Sequence, residues 1–285
     1  MKKTIALWAA LTAVALFAAT GCTTENGPAG AASAGTGAAS PSAAASTGSP
    51  RTPDAASARA AAYRKWGLKP LAEPPAPPAR KPVSRAPGGP VPVVSDIPTK
   101  EKIVFLTIDD GAEKDPEFVA MTRELGIPLT MFLTDAAIRT DYRYFQPLVA
   151  QGHGVANHTL SHPNMRTLSA AAQRREICGQ QEKLTAEYGT KPRLFRPPYG
   201  NWNESTRAAA AECGIDAIVL WRESMQITNM QYQRGDKKLH PGDIILAHFR
   251  GPSELKGRTM TEMTANLLRH IQEQGFTIAR LEDYL

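Results

Sequence analysis

Residues 101–285 predict a parallel α/β domain, on three observations. Short apolar, β-rich runs recur, each followed by a helix-type segment, six or seven times over, as expected of strands joined by crossover helices. The helix-type segments carry start and stop residues, an Asp, Ser or Asn before and a Gly behind. Polar residues able to do chemistry fall just past the apolar runs, where parallel α/β folds keep their sites. A barrel and an open doubly wound sheet both satisfy this pattern.

Ile103–Ile108 is a continuous apolar run, as a strand buried on both faces requires. Asp115-Pro116 supplies an N-cap and a first-turn proline, opening a helix to Leu125 that Gly126 stops. Leu129–Leu133 is the second strand, Tyr142–Gln151 the second helix, and His153–Asn157 a short third strand. Ser169 caps a long helix to Tyr188, with Gly189 behind it. Arg193–Arg196 is short and strand-like, and Asn203 caps a helix running through Cys213-Gly214. Ile215–Trp221 and Asp243–Ala247 are further strands, Thr259–Gln274 is the last long helix, and Phe276–Ala279 closes the set. No dinucleotide fingerprint, P-loop, G-x-S-x-G elbow or H-E-x-x-H is present, so nucleotide and serine-hydrolase chemistry lack their usual support.

The stretch before this domain divides into an address (1–21) and a tether (22–98), leaving 99–285 as the folded part. Lys2 and Lys3 precede an uncharged apolar run, Ile5–Ala19, shorter than the roughly 20 residues of a membrane span and suited to a secretory signal. Ala19-Thr20-Gly21-Cys22 resembles the bacterial lipobox, with Ala19 where that motif usually carries Leu. The resemblance implies a lipidated Cys22, a membrane anchor and a domain working outside the cytoplasm. Thr23–Ala62 is almost all Ala, Ser, Gly and Thr, which cannot offset its ordering entropy. A helix around Ala55–Trp66 is too short to stand alone, and the Pro-rich Glu73–Pro92 is expected to be extended. The formal net charge of +6 belongs to this region, since residues 1–100 carry +7 and residues 101–285 carry −1. A basic nucleic-acid-binding domain is therefore not expected, and no obligate protein partner is signalled.

Past the strand ends lie Asp109 and Asp110, then His158 and His162, Arg196 and Tyr199, Trp221 and Glu223, and finally His248. Each set follows a different strand, so all can converge on one mouth. His158-Thr-Leu-Ser-His162 presents two imidazoles at i and i+4, and two imidazoles with one carboxylate leave a zinc ion an open position.

Together Thr107-Ile108-Asp109-Asp110-Gly111, His158–Pro163, Arg196-Pro197-Pro198-Tyr199-Gly200 and Leu246-Ala247-His248 resemble, in order, four motifs of the polysaccharide deacetylases. This is the NodB-homology fold, carbohydrate esterase family four. The resemblance implies a distorted (β/α) barrel and one divalent metal, with Zn²⁺ suited to the ligands Asp110, His158 and His162. It implies that Asp109 is the base for a metal-bound water, that Arg196 holds Asp109 ionised, and that the Tyr199 N–H stabilises the oxyanion. His248 would be the acid, and Trp221, Pro197 and Leu246 would line the sugar pocket. The implied activity is hydrolysis of N-acetyl groups, a linear amide, on peptidoglycan or a chitin-like oligosaccharide.

The family's fourth motif brings an Asp that orients the catalytic His, and here Ser224 stands at that position. Glu223, one residue away, is the candidate replacement. This departure keeps two alternatives in view, an O-acetyl esterase of the xylan type and a weakly active or non-catalytic carbohydrate-binding lipoprotein. Cys178 and Cys213 lie on consecutive predicted helices in an oxidising compartment, where two thiols pair as a disulfide.

Overall fold

A computed structural model describes residues 54–285. The signal, Cys22 and the first part of the tether lie outside the described residues.

The order along the chain is α1 (Asp54–Lys65), β1 (Val93–Val94), β2 (Ile103–Asp110), α2 (Pro116–Leu125), β3 (Thr130–Leu133), α3 (Asp135–Ile138), α4 (Gln146–Ala150) and β4 (Gly154–Asn157). Then come α5 (Ala170–Tyr188), β5 (Leu194–Phe195), α6 (Glu204–Glu212), β6 (Ala217–Val219), β7 (Glu223–Met225), β8 (Met230–Tyr232), β9 (Ile244–His248), α7 (Met260–Glu273) and β10 (Thr277–Ile278). The strands form one curled sheet in the order β1-β6-β5-β4-β3-β2-β9-β7-β8, with β10 beside the start of β2. Every pairing is parallel except the β7–β8 hairpin. The expected caps are in place: Asp115 accepts from the Glu117 N–H, Ser169 from Ala172 and Asn203 from Thr206, while Gly126 and Gly189 take left-handed conformations. The hairpin was not expected, because each of its strands is only three residues long, below the window in which alternation can be read.

Side-chain alternation divides the core into layers. On β2, Val104, Leu106 and Ile108 pack outward against the helices, while Ile103 and Phe105 face the barrel interior. On β9, Ile245 and Ala247 belong to the outer layer and Ile244 to the inner one. Helices α5 and α6 close over a third cluster that includes Ile177, Phe195, Ala209 and Ile218.

The second half of the expected tether is corrected. Residues 54–98 belong to the folded body, so the boundary at 99 cuts through it. Tyr63, Leu68, Leu71, Val91 and Ile97 are all buried. Lys65 and Trp66 reach Glu124 of α2 at 2.6 and 2.8 Å. Val93 and Val94 pair with Ile218 and Val219, and the Asp96–Asp243 bridge then carries the chain across to β9. This strap thus links β6, near one edge of the curled sheet, to the start of β9. Its apolar residues are too widely spaced among Ala and Pro to show a period, although each finds a place in a core already built.

Candidate metal and active site

The site forms where β2, β4, β5 and β9 end. Asp109 stands in register with His248 on the neighbouring strand, and both lie on the interior face by alternation. Asp110, the next residue, would point outward, but its φ of 74° breaks the alternation at the strand end. Thr159, His162 and Tyr199 also have positive φ, at 72°, 57° and 61°. Four non-glycine residues in this costly region cluster at one mouth, as strained functional loops do.

Helix α5 and its neighbours hold the histidine loop. Asn157 donates to the Ile177 carbonyl and to Gln181, and accepts from the Thr159 N–H. Glu176 accepts from both the N–H and the hydroxyl of Ser161, and Thr134 Oγ1 donates to the Thr159 carbonyl. These supporting residues went unnoticed in the sequence, because they are ordinary polar residues whose partners are distant along the chain.

His158 Nδ1 lies 2.7 Å from the Arg196 carbonyl oxygen. A carbonyl only accepts, so Nδ1 carries the proton and the Nε2 lone pair is free. Burial pushes His158 down to about 4, which keeps the ring neutral. Its Nε2 is 3.5 Å from Asp110 Oδ1, and His162 Nε2 is 3.4 Å from the same oxygen. The three ligand atoms lie within 4.8 Å of one another, and Asp110 Oδ1 is buried without a hydrogen-bond partner. An orphaned carboxylate oxygen beside two imidazole nitrogens fits a divalent cation. Imidazole and carboxylate ligands of this kind suit Zn²⁺ and other divalent ions alike.

Arg196 is fully buried and donates from Nη1 to Asp109 Oδ1 at 2.6 Å and to Thr107 Oγ1 at 2.9 Å. Its Nε and Nη2 donate to the carbonyls of Val219 and Leu220. Burial pushes Asp109 up to about 6, while the Arg196 charge and hydrogen bond pull it down. The Tyr199 ring is exposed and meets the His162 ring edge-on, centroids 4.9 Å apart. Trp221 lies against Gly200, where an added Cβ would stand 3.2 Å from its ring, and 5.6 Å from the Arg196 guanidinium. Pro197 and Leu246 are buried beneath this rim.

Glu223 does not orient His248, which corrects the expectation. It stands in register with Ile245, three residues before His248, and the odd offset puts it on the opposite face. There it lies beside Arg234 at 3.6 Å, behind the site. Ser224 is the residue that shares a face with Leu246 and His248, and its hydroxyl accepts from Gln226. His248 Nδ1 is left buried without a partner. Burial, then the Arg250 charge, press His248 down to about 3.

Away from the mouth, Cys178 on α5 and Cys213 after α6 are joined by a disulfide, with Cα atoms 5.0 Å apart.

Comparison with known proteins places these features in a family. The polysaccharide deacetylase family model matches residues 96–218. An uncharacterized protein of Streptomyces coelicolor is 45% identical over 195 residues, covering 68% of this chain and 77% of that one. The peptidoglycan-N-acetylmuramic acid deacetylase PdaA of Bacillus subtilis is 24% identical, covering 66% and 73%. Among solved structures, a family 4 carbohydrate esterase from Bacillus anthracis superposes with a TM-score of 0.55 at 26% identity, covering 67% and 86%.

Proposed function

The chain belongs to the polysaccharide deacetylase family, and from that premise we propose that it is a metal-dependent hydrolase removing N-acetyl groups from a glycan. The glycan we assign is peptidoglycan or a chitin-like oligosaccharide of the cell envelope. One observation carries the reading: the Asp110, His158 and His162 ligand atoms converge beside an Asp109–Arg196 pair. An N-acetyl amide is a poor electrophile with a poor leaving group, so its hydrolysis needs a Lewis acid, a base and an acid.

Asp110, His158 and His162 would hold a divalent ion, which would supply Lewis acidity for the water and the acyl carbonyl. Asp109, ionised above about 6 and fixed by Arg196, accepts the proton of the attacking water. The Tyr199 N–H, on its left-handed turn, stabilises the oxyanion. His248, on the strand beside Asp109, delivers a proton to the departing nitrogen. It is neutral at rest, so the proton it delivers would be the one Asp109, in register with it, takes from the attacking water. Trp221 and the exposed Tyr199 ring border the sugar. We further propose that lipidated Cys22 holds the enzyme outside the cytoplasmic membrane.

The unpartnered His248 Nδ1 favours one second reading, a carbohydrate-binding protein of low activity. Metal analysis of the full-length protein, with acetate release from peptidoglycan, chitooligosaccharide and acetylated xylan, separates the readings. The proposal expects bound metal and acetate from an N-acetylated substrate, both lost in His158→Ala. Tight metal binding with no acetate from any substrate supports the binding protein, and acetate from xylan alone supports an O-acetyl esterase. An active, metal-loaded His158→Ala overturns the site.

A further inference from the structure

We propose that Arg250 receives a negatively charged group carried by the sugar near its N-acetyl, so that the preferred substrate is an acidic N-acetylated saccharide. This rests on the deacetylase reading and specifies its substrate class.

The placement follows from the end of β9. Beyond His248 the ladder continues through Phe249, whose N–H donates to the Asp109 carbonyl and whose carbonyl accepts from the Glu113 N–H. Phe249 packs outward, its ring 5.7 Å from Phe118 and 5.4 Å from Phe145. Alternation about that buried ring returns Arg250 to the face of His248. The Arg250 charge accordingly bears on both Asp110 and His248.

Other cations near the mouth are committed. All three guanidinium nitrogens of Arg196 donate to Asp109, Thr107 and two carbonyls in a sealed space. Lys114 Nζ donates to the carbonyls of Gly111, Ala112 and Ala137, each at 3.1 Å. Arg250 is different. Its partner is Glu254, 3.5 Å from Nε and half exposed, and Arg250 itself is 35% exposed. So open an ion pair contributes little and yields to a better-placed anion. A guanidinium presents paired N–H donors that match a carboxylate.

The test is calorimetric binding to the full-length protein of two saccharides of equal length. One is neutral chitotetraose; the other alternates N-acetylglucosamine with its 3-O-lactyl ether, which adds carboxylates. We expect a preference for the acidic saccharide of about tenfold or more, weakening as salt is raised. In Arg250→Gln that preference falls to near parity, and Arg250→Lys keeps part of it. Equal affinity of the wild type for both saccharides overturns the proposal, as does a preference that survives Arg250→Gln. Should the Gln variant fail to fold, the wild-type comparison and Arg250→Lys still decide. Binding needs no turnover, so failure to release acetate counts against the deacetylase reading alone.

Discussion

Arg196 Nη1 donates to Asp109 Oδ1 at 2.6 Å, and neither side chain meets solvent to any useful extent. Asp109 pays for burial with a carboxyl pushed up to about 6, and Arg196 keeps it from rising further. Replacing Arg196 by Met leaves a buried carboxylate without its counter-charge, a change that costs about 3–5 kcal/mol. We expect a lower melting temperature and a fall in kcat/KM of at least about a hundredfold. The sign of the pH effect is fixed: a base without its cation is harder to ionise. The acid limb of kcat/KM therefore moves to higher pH in Arg196→Met, and a limb that stays in place would show that Asp109 is not the base.

Ser224 and His248 share the interior face, two strand positions apart in register, and this is where a carboxylate is missing. Ser224→Asp is expected to raise His248 from about 3 by supplying an opposite charge and a hydrogen-bond acceptor to Nδ1. Activity on an N-acetylated saccharide should rise about tenfold. Moving the carboxylate one residue back, as the natural Glu223 does, achieves nothing because that residue faces the other way. The pH titration of the His248 ring by NMR checks the cause, and steady-state kinetics the consequence.

Asp109, Asp110, His158, His162, Arg196 and His248, which the structure gathers at one mouth, could be singled out in the sequence because each sits at a strand end and strand ends are marked by apolar runs. The caps of α2, α5 and α6 were equally plain, since Asp115, Ser169 and Asn203 are local signals. What escaped notice depends on distant partners. Glu223 is next to Trp221 in sequence and looked available to His248, but strand parity, which only the register reveals, assigns it to Asp243 and Arg234. The strap was missed for a similar reason: Tyr63, Val91 and Ile97 are isolated apolar residues in a Pro- and Ala-rich stretch.

That strap leads to a stability prediction. Five of its side chains, Tyr63, Leu68, Leu71, Val91 and Ile97, are no more than 5% exposed. At roughly 1.5–3 kcal/mol for each buried apolar side chain, they contribute about 10 kcal/mol, as much as the whole stability of an ordinary domain. A chain beginning at residue 99 should therefore lack a cooperative thermal transition and aggregate, while one beginning at residue 54 melts cooperatively. Circular dichroism melts of the two compare them directly. Cooperative melting of the shorter chain at an unchanged temperature would show the strap to be dispensable.

Glu223 and Asp243 are two carboxylates sealed from solvent behind β7 and β9, and Arg234 Nη1 reaches both, at 3.6 and 2.6 Å. Asp96, which Arg222 also holds, draws on the same arginine, and His240 stands beside Asp243. Burial and then the Asp243 charge push Glu223 up to about 8, against the pull of Arg234. The folded value thus lies above the ordinary 4.5, so the native state prefers the protonated acid. Its contribution to stability is fully present below about pH 4.5 and is lost as pH rises through about 8. We expect the melting temperature of the wild type to level off above about pH 8 and to decline most steeply between about pH 5 and 7.5. Glu223→Gln keeps the shape and removes the titration, so its curve should be flatter there and cross above the wild type by about pH 9. Parallel declines of the two proteins in scanning calorimetry would mean that the Glu223 proton is not held in this pair.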